Sequence, residues 1–449
     1  MKKIVHILAF FLMAMVSAMG VQAQIVLPDH DQPTVHSDMS ADHEDSDTSA
    51  RDTIALVADS LALDSLALDS LLPDDSLSAS SPWPQNLCRR LDALVDHSMF
   101  ETSQLGLMVY DLTADSALYT RGHRQLLRPA STMKLVTAIA AIDKLGGSYQ
   151  FRTSLYYTGR VDSGTLTGDI YCVGGFDPLF NSDDMKAFVD RIKSMGVDTI
   201  RGRILADRTM KSADLLGEGW CWDDDNPVLS PLLVSRHDDF LSRFEQELSE
   251  VGIVLDVTTG ESSVPNGAYI VCSRFHTIDQ VLMRMMKDSD NLYAESLFYQ
   301  LAASGGNRPA EARHARQAIS RLIRKVGLDP ARYKIADGSG LSLYNYLTAE
   351  LEVALLRYAY RNADIYIHLY PSLPIAGVDG TLKRRMRGGF ASGNVHAKTG
   401  TLTCITSLAG YCTAANGHVL AFSIINQGVI HDSNGRSFQN RVCEAMCRP

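Results

Sequence analysis

The chain has 449 residues, of which 45% are hydrophobic and 21% are charged, and its formal net charge is −10. This length and composition exclude a wholly disordered protein and allow two or three globular domains. Thirteen acidic side chains and one basic side chain, Arg51, lie in residues 24–86, so residues 87–449 are electrically balanced. Nucleic-acid binding requires a concentrated basic face, and the balanced body therefore argues against a nucleic-acid partner.

The first residues have the pattern of a signal peptide. Lys2 and Lys3 precede an apolar run over residues 4–19, and small residues of the kind that signal peptidase cleaves follow up to Ala23. The run is shorter than the about 20 residues that span a bilayer. We predict that residues 1–23 direct export to the periplasm and that no integral membrane span remains after cleavage. An uncleaved signal anchor is the alternative.

Residues 24–86 are predicted to be a disordered acidic tether. They are rich in Asp, Ser and Ala and contain a five-residue near-repeat over residues 60–74. A period of five matches neither the 3.6 residues of a helical turn nor the two residues of a strand. The high net charge of the segment also disfavours a packed core.

The globular part of the chain is predicted to begin at residue 87. The pattern predicts a helix over residues 88–99 and strands over residues 105–111 and 117–120. A second helix is predicted to begin near Ser131 and to end at Gly146-Gly147.

Residues 148–275 are predicted to form mostly short strands separated by turns. The elements predicted in this segment are strands over residues 154–158 and 170–173 and helices over residues 183–195 and 238–251.

Residues 276–449 return to a mixed pattern. One long helix is predicted over residues 278–303, and a helix is predicted at the C-terminus. Three strands are predicted over residues 395–401, 407–413 and 419–425, the last two joined by an Asn416-Gly417 hairpin. We predict one α/β domain, made of residues 87–147 and 276–449, interrupted by an inserted, mainly β domain over residues 148–275.

Eight cysteines in an exported chain permit disulfides, but their spacing dictates no pairing. Cys443 and Cys447 are four residues apart and share a face of the C-terminal helix. Either could reach Cys88 if the two ends of the body pack together. Buried free thiols are the alternative.

The first candidate motif is Ser131-x-x-Lys134 at a helix N-terminus. Residues three apart share a helix face, so the Lys134 amine can approach the Ser131 hydroxyl. A serine becomes a nucleophile when a neighbouring base takes its proton, and a lysine with a lowered pKa can be that base. The alternative is an N-cap serine beside a solvated lysine.

Two further motifs follow in the chain. In Ser289-Asp290-Asn291, Ser289 is suited to relaying a proton to a leaving amine, and the Asn291 amide to holding Lys134 or a substrate amide. In Lys398-Thr399-Gly400, followed by Thr401, the lysine supplies positive charge and the threonine a hydroxyl for a substrate carboxylate. The glycine lets a peptide lie close along the strand. The alternative for Ser289-Asp290-Asn291 is a polar helix turn.

With these motifs in this order, the chain resembles the active-site serine penicillin-recognising enzymes. More narrowly, residues 87–449 resemble the D-alanyl-D-alanine carboxypeptidase/endopeptidase family of class C, low-molecular-mass penicillin-binding proteins. The resemblance extends to further segments, which are Arg128-Pro129-Ala130-Ser131, Gly174-Gly175-Phe176-Asp177-Pro178, Asp337-Gly338-Ser339-Gly340-Leu341-Ser342 and Ala376-Gly377-Val378-Asp379-Gly380-Thr381-Leu382.

The resemblance implies a transpeptidase/β-lactamase-like α/β fold, an antiparallel sheet flanked by helices, that carries the inserted β domain. It implies a serine-type DD-peptidase that cleaves the D-Ala-D-Ala bond of peptidoglycan stem peptides through an acyl-serine, with cutting of DD cross-links as a further activity. It also implies covalent inhibition by β-lactam antibiotics and no cofactor.

The resemblance also assigns roles to the motif residues. Ser131 would be the acylated nucleophile, Lys134 its general base, and Ser289 and Asn291 the relay and positioning pair. Lys398, Thr399 and Gly400 would bind the terminal part of the stem peptide. The backbone amides of Ser131 and Thr401 would form the oxyanion hole.

The chain departs from the family pattern at two positions. Leu343 stands where the family often has arginine, and Phe176 where it often has a third glycine. Both positions bear on substrate contacts and loop shape.

Three other functions were weighed against the peptidase. A class A β-lactamase needs a Glu-x-x-Leu-Asn stretch, which does not occur between Asn291 and Lys398. A catalytically silent cell-wall-binding scaffold has no need of the complete set of motif residues. No metal is predicted, because His-Glu-x-x-His is absent and Asp223-Asp224-Asp225 lacks the ligand spacing of a calcium loop.

Overall fold

The computed structural model describes residues 83–223 and 225–449. The predicted signal peptide, and the predicted tether up to residue 82, lie outside the described residues. Within the described ranges, no helix combines the length and the apolar character needed to cross a membrane.

The described residues form eleven α-helices and twelve strands. The helices are α1 (Gln85–Val95), α2 (Met99–Thr102), α3 (Met133–Leu145), α4 (Ser182–Ser194), α5 (Phe240–Glu250), α6 (Ile278–Lys287), α7 (Asn291–Ala303), α8 (Ala312–Lys325), α9 (Ala349–Arg361), α10 (Ala363–Ser372) and α11 (Asp432–Cys447). The strands are β1 (Gln104–Asp111), β2 (Ser116–Arg121), β3 (Gln150–Tyr157), β4 (Arg160–Asp162), β5 (Thr165–Thr167), β6 (Ile170–Val173), β7 (Thr199–Asp207), β8 (Val254–Glu261), β9 (Tyr269–Thr277), β10 (His396–Leu402), β11 (Ile405–Thr413) and β12 (Val419–Gln427).

The first sheet has the strand order β10-β11-β12-β1-β2, and all its pairings are antiparallel. Successive side chains of its central strands enter different cores. Leu408 packs with α1 and α11 on one face, whereas Ala409 packs with α3, α7 and α9 on the other. Helices therefore cover both faces of this antiparallel sheet, as the α/β fold class predicted.

Strand β10 forms one edge of the first sheet. Its first half is covered, because the Ala397 amide donates to the Pro374 carbonyl at 2.9 Å and Ile375 bridges to His396. Within the described residues, no strand lies beyond its second half, residues 399–402. The edge is therefore open where the Lys-Thr-Gly motif lies.

The second sheet is built from residues 150–277. Its strand order is β4-β5-β7-β6-β3-β9, with β8 paired to β7. Helices α4 and α5 pack on it around a separate apolar core that includes Phe180, Phe188, Phe240 and Phe244. We call residues 148–275 the insert and residues 83–147 and 276–449 the flanking region.

The predicted long helix over residues 278–303 is wrong, because the structure breaks it into α6 and α7. Ser289 lies in the break with a left-handed φ of 61°. Asp290 caps α7 by accepting a hydrogen bond from the Leu292 amide at 3.1 Å. Asp and Ser favour such caps over helix interiors, and the apolar spacing that continues through both helices conceals the break.

The predicted first helix is shifted in the structure. Helix α1 begins at Gln85, inside the last residues assigned to the tether, and ends at Val95. Helix α1 packs against α11, so the two ends of the globular part meet. This packing is the condition under which Cys88 could approach Cys443 or Cys447. All eight cysteines lie within the described residues, and no disulfide links any of them. Cys88 donates to the Leu118 carbonyl at 3.4 Å.

Candidate active site

Ser131 lies on a single 3₁₀ turn, Ala130–Thr132, that leads into α3. Ala130 has a left-handed φ of 49° and is completely buried. The loop at Gly340 holds this turn tightly, because a Cβ at position 340 would lie 1.9 Å from the Ala130 carbonyl oxygen. The serine therefore stands on a constrained turn, with Lys134 one helical turn further on.

Lys134 brings three parts of the chain together. Its side chain is 0% exposed, and its Nζ lies 3.0 Å from Ser131 Oγ, 2.7 Å from Asn291 Oδ1 and 2.8 Å from the Ser339 carbonyl oxygen. Burial lowers the pKa of Lys134 from 10.5 to about 8, although nearby carboxyl groups oppose this shift.

These contacts define what Lys134 can do once it is neutral. A neutral amine has two N–H groups and one lone pair. Asn291 Oδ1 and the Ser339 carbonyl can only accept hydrogen bonds, so they take the two N–H groups. The lone pair is then left for Ser131, whose hydroxyl donates to it. The site is thus arranged for proton transfer from Ser131 to Lys134.

The second lysine, Lys398 on β10, is also completely buried. Its Nζ donates to Ser289 Oγ at 2.8 Å and to the Thr399 carbonyl at 2.7 Å. Burial first, and then the charge of Lys134, lower the pKa of Lys398. Ser289 therefore lies beside Lys398, and its left-handed backbone turns its hydroxyl toward β10 rather than along a helix face.

The rest of the third motif lies along the open edge. Thr399 Oγ1 donates to Thr381 Oγ1 at 2.8 Å. A Cβ at position 400 would lie 2.8 Å from the Ser131 amide nitrogen, so Gly400 allows β10 to pass close to the serine. Thr401 is exposed and pairs with Thr406 on β11. The structure thus brings the predicted residues of all three motifs to one site.

Two further groups at this site were not found by motif reasoning. Glu295 is 1% exposed and accepts hydrogen bonds from the Gly338 and Ser339 amides at 3.0 and 2.8 Å, which fixes the carbonyl that contacts Lys134. Burial first, and then the charge of Asp337, raise the pKa of Glu295 to about 8. Glu295 follows Asn291 by four residues on α7, a spacing that could have identified it. Thr381 lies in the family-like segment 376–382, but no spacing relates it to Thr399.

The two departures from the family pattern have different consequences. Phe176 adopts a left-handed φ of 50°, the conformation that glycine favours, while its ring is fully buried near Tyr299. The loop shape is therefore kept with a phenylalanine in place. Leu343 is half exposed, and its carbonyl accepts a hydrogen bond from Arg128 Nε at 2.9 Å.

The chain is similar to known proteins over this whole region. The model of the D-Ala-D-Ala carboxypeptidase 3 (S13) family matches residues 87–236 and 232–446. A D-alanyl-D-alanine carboxypeptidase from an Actinomadura species is 28% identical over 440 aligned positions, which cover 75% of this chain and 80% of that protein.

Solved structures share the fold. The structure of penicillin binding protein 4 from Haemophilus influenzae is 24% identical, with a TM-score of 0.68, and the match covers 76% of this chain and 96% of that one. The same protein complexed with a novel β-lactam is 22% identical, with a TM-score of 0.68, and the match covers 78% of this chain and 97% of that one.

Proposed function

The chain belongs to the D-Ala-D-Ala carboxypeptidase 3 (S13) family of serine hydrolases, and on this premise we propose that Ser131 cleaves the D-Ala-D-Ala bond of peptidoglycan stem peptides. The observation that carries the proposal is the buried Lys134 amine, held against Ser131 by Asn291 and the Ser339 carbonyl. It supplies the base that a serine nucleophile needs.

In the acylation step, Ser131 Oγ bonds to the carbonyl carbon of the penultimate D-alanine, and its proton passes to Lys134. The oxyanion that forms is stabilised by the backbone amides of Ser131 and Thr401. When the peptide C–N bond breaks, Ser289 passes a proton to the leaving amine and Lys134 returns its proton to this relay. Water then attacks the acyl-serine and gives its proton to Lys134, and the C–O bond to Ser131 breaks as Lys134 passes that proton to Ser131 Oγ.

The terminal carboxylate of the substrate is bound at the open end of β10. The half-buried Thr399 hydroxyl turns its proton from Thr381 to the carboxylate. Lys398 lies behind the strand, and an incoming anion favours its charged form. The substrate backbone pairs with residues 399–402 as an added strand, and Gly400 leaves room for it next to Ser131.

The location and inhibitors of the protein form part of the same proposal. Residues 1–23 export the chain to the periplasm, where residues 24–82 act as an acidic tether and the stem peptides are accessible. β-Lactams acylate Ser131, because a strained cyclic amide carbonyl can occupy the position of the scissile bond. The β-lactam complex of the solved relative supports this part of the proposal.

The pH dependence of acylation follows from Lys134. Its pKa is lowered to about 8, and only the neutral amine can take the proton of Ser131. The acylation rate should therefore rise about tenfold per pH unit below 8 and level off above it. A rate that is constant between pH 6 and 9 would exclude Lys134 as the base.

Covalent labelling with a fluorescent penicillin tests the nucleophile. The wild-type protein should be labelled and Ser131→Ala should not, whereas Ser194→Ala, at the end of α4, should be labelled like the wild type. D-Alanine release from a peptide that ends in D-Ala-D-Ala tests turnover. An unlabelled wild-type protein, or a labelled Ser131→Ala, would overturn the assignment.

The bond that is cut remains to be assigned by product analysis. A carboxypeptidase releases D-alanine from a pentapeptide, and an endopeptidase separates cross-linked muropeptides; both use the same acyl-serine. A catalytically silent scaffold would bind peptidoglycan and release neither product.

A further inference from the structure

The middle residue of the second motif, Asp290, has no part in the chemistry proposed above, yet it is held by two arginines. Its side chain is 10% exposed. Arg236 approaches both carboxylate oxygens, Oδ2 through Nη1 and Oδ1 through Nη2 at 3.3 Å, and Arg284 Nε donates to Oδ2 at 3.2 Å. A fork of this kind fixes the plane of a carboxylate as well as its position.

The two arginines come from different parts of the molecule. Arg284 lies on α6, directly before the break that contains Ser289. Arg236 belongs to the insert, and so it links the insert to a motif of the flanking region. Both guanidinium groups also lie near the ring of the buried Tyr293, with distances from the guanidinium carbon to the ring centroid of 5.9 Å for Arg236 and 5.2 Å for Arg284.

The backbone that presents Arg236 is strained. Val234 and His237 exchange backbone hydrogen bonds at 3.0 and 2.9 Å, and the two residues between them, Ser235 and Arg236, have φ values of 47° and 75°. Two consecutive left-handed residues form a turn that asparagine and glycine favour. Neither residue here is of that kind, so the turn is held in a conformation that its own residues disfavour.

The neighbours of Asp290 are the two site residues of this motif. Ser289 precedes it with a φ of 61° and accepts the hydrogen bond of Lys398. Asn291 follows it as the first residue of α7 and accepts the hydrogen bond of Lys134. A shift of Asp290 therefore moves the Ser289 hydroxyl, which relays the proton. It also moves the Asn291 amide, which orients Lys134.

We propose that Arg236 is a positioning residue through which the insert sets the geometry of Ser289 and Asn291. Its guanidinium holds the Asp290 carboxylate, and this carboxylate both caps α7 and fixes the turn at Ser289. Arg284 bonds only one oxygen and cannot by itself fix the plane of the carboxylate. This inference rests on the proposed roles of Ser289 and Asn291.

Kinetics of Arg236 variants test the inference. Arg236→Ala should lower the acylation rate constant for a fluorescent penicillin by about 10- to 100-fold, as expected when catalytic groups shift by about 1 Å. In peptide hydrolysis, kcat should fall while KM stays within about twofold, because the displaced groups act in the transition state. Arg236→Lys keeps the charge without the fork and should recover part of the rate.

A matched control is Arg243→Ala, which removes an arginine of the insert that is paired with Asp239 at 2.8 Å. It should leave acylation unchanged. The double variant Arg236→Ala/Asp290→Asn should be no slower than the slower of the two single variants, because both break one interaction. Rates are compared well below the melting temperature of each variant, so that unfolding does not contribute.

Two results would overturn the inference. One is a wild-type acylation rate for folded Arg236→Ala, and the other is an equal loss of rate in Arg243→Ala. A wild-type protein that no penicillin labels would instead reject the proposed function itself, so the two failures can be told apart.

Discussion

The buried carboxyl groups of the insert and the buried lysines of the active site are stabilised in different ways. In the insert, the buried carboxyl of Asp184 is paired with Arg274 at 2.7 Å, and that of Asp177 is paired at 2.7 Å with His276, where the flanking region resumes. In the flanking region, the buried ammonium groups of Lys134 and Lys398 have hydrogen bonds only to neutral oxygens. Buried cations without a directly bonded carboxylate weaken a fold and shift pKa values, so the active site gives up stability for reactivity.

The largest expected effect is that of replacing Lys134, and it separates reactivity from stability in the flanking region. Lys134→Met should lower the acylation rate by roughly 10²- to 10⁴-fold, because the base is lost. It should keep or raise the melting temperature, because an uncompensated buried cation is replaced by an apolar side chain of similar length. Labelling rates and thermal melting measure both. Lys325→Met, on the surface, should change neither, and acylation that persists in Lys134→Met would contradict the comparison.

The opposite behaviour is expected in the insert. Phe188 is completely buried in the aromatic core of the second sheet. Phe188→Ala should lower the free energy of unfolding by about 3–5 kcal/mol, while the folded variant acylates at the wild-type rate. Denaturant unfolding and labelling measure the two effects, with the half-exposed Phe275→Ala as the mild control. A slower folded Phe188→Ala would mean that catalysis depends on the core of the insert as well as on Arg236.

A third prediction concerns a buried carboxyl of the flanking region, Glu352 on α9. It is 1% exposed, and its Oε2 accepts the Ser423 hydroxyl at 2.6 Å. Burial raises the pKa of Glu352 from 4.5 to about 7. The folded state therefore favours the protonated acid, and the stability present below pH 4.5 is lost as the pH rises through 7.

Glu352→Gln removes this pH-dependent loss of stability, because glutamine does not ionise. The variant should match the wild type near pH 4 and be more stable at pH 8 by roughly 3 kcal/mol, the equivalent of the pKa shift. Melting curves at the two pH values measure the difference. Glu350 lies on the same helix as Glu352 and forms an ion pair with Arg124. Glu350→Gln breaks this pair and should not reproduce the gain in stability. A gain that is equal at both pH values would point to packing rather than ionisation.

The smallest expected effect is at the open edge of the first sheet. Thr381→Val removes the hydroxyl beside Thr399 and should raise the KM for a D-Ala-D-Ala peptide by about 2- to 10-fold, the value of one neutral hydrogen bond. Its kcat should change less. Thr258→Val on β8 of the insert is the control. A loss confined to kcat would place Thr381 in the reaction rather than in substrate binding.

The sequence could predict those parts of the site that lie within one helical turn or one strand. Lys134 follows Ser131 by three residues, so helix geometry alone brings them together. The strands were predicted closely because alternation and the Asn416-Gly417 turn mark them. The break at Ser289 was missed because the apolar spacing of α6 continues into α7, so that only the backbone angle of one residue reveals it.

The contacts that were not predicted join residues far apart in the chain. Arg236 lies 54 positions from Asp290, and Thr381 lies 18 from Thr399. No local periodicity relates such pairs, and an arginine in a polar turn has the composition of an ordinary solvated loop. Tertiary packing alone brings the two members of each pair together.

The half-covered edge of β10 also bears on how the protein avoids pairing with other chains. An unpaired strand edge is a template for association with other chains, and an enzyme that uses such an edge cannot simply hide it. Here residues 374–376 protect the first half, and only residues 399–402 stay open. Four residues are enough to pair with the end of a peptide, but they offer few backbone hydrogen bonds to the edge of another folded sheet. The length of the opening thereby limits aggregation without closing the site.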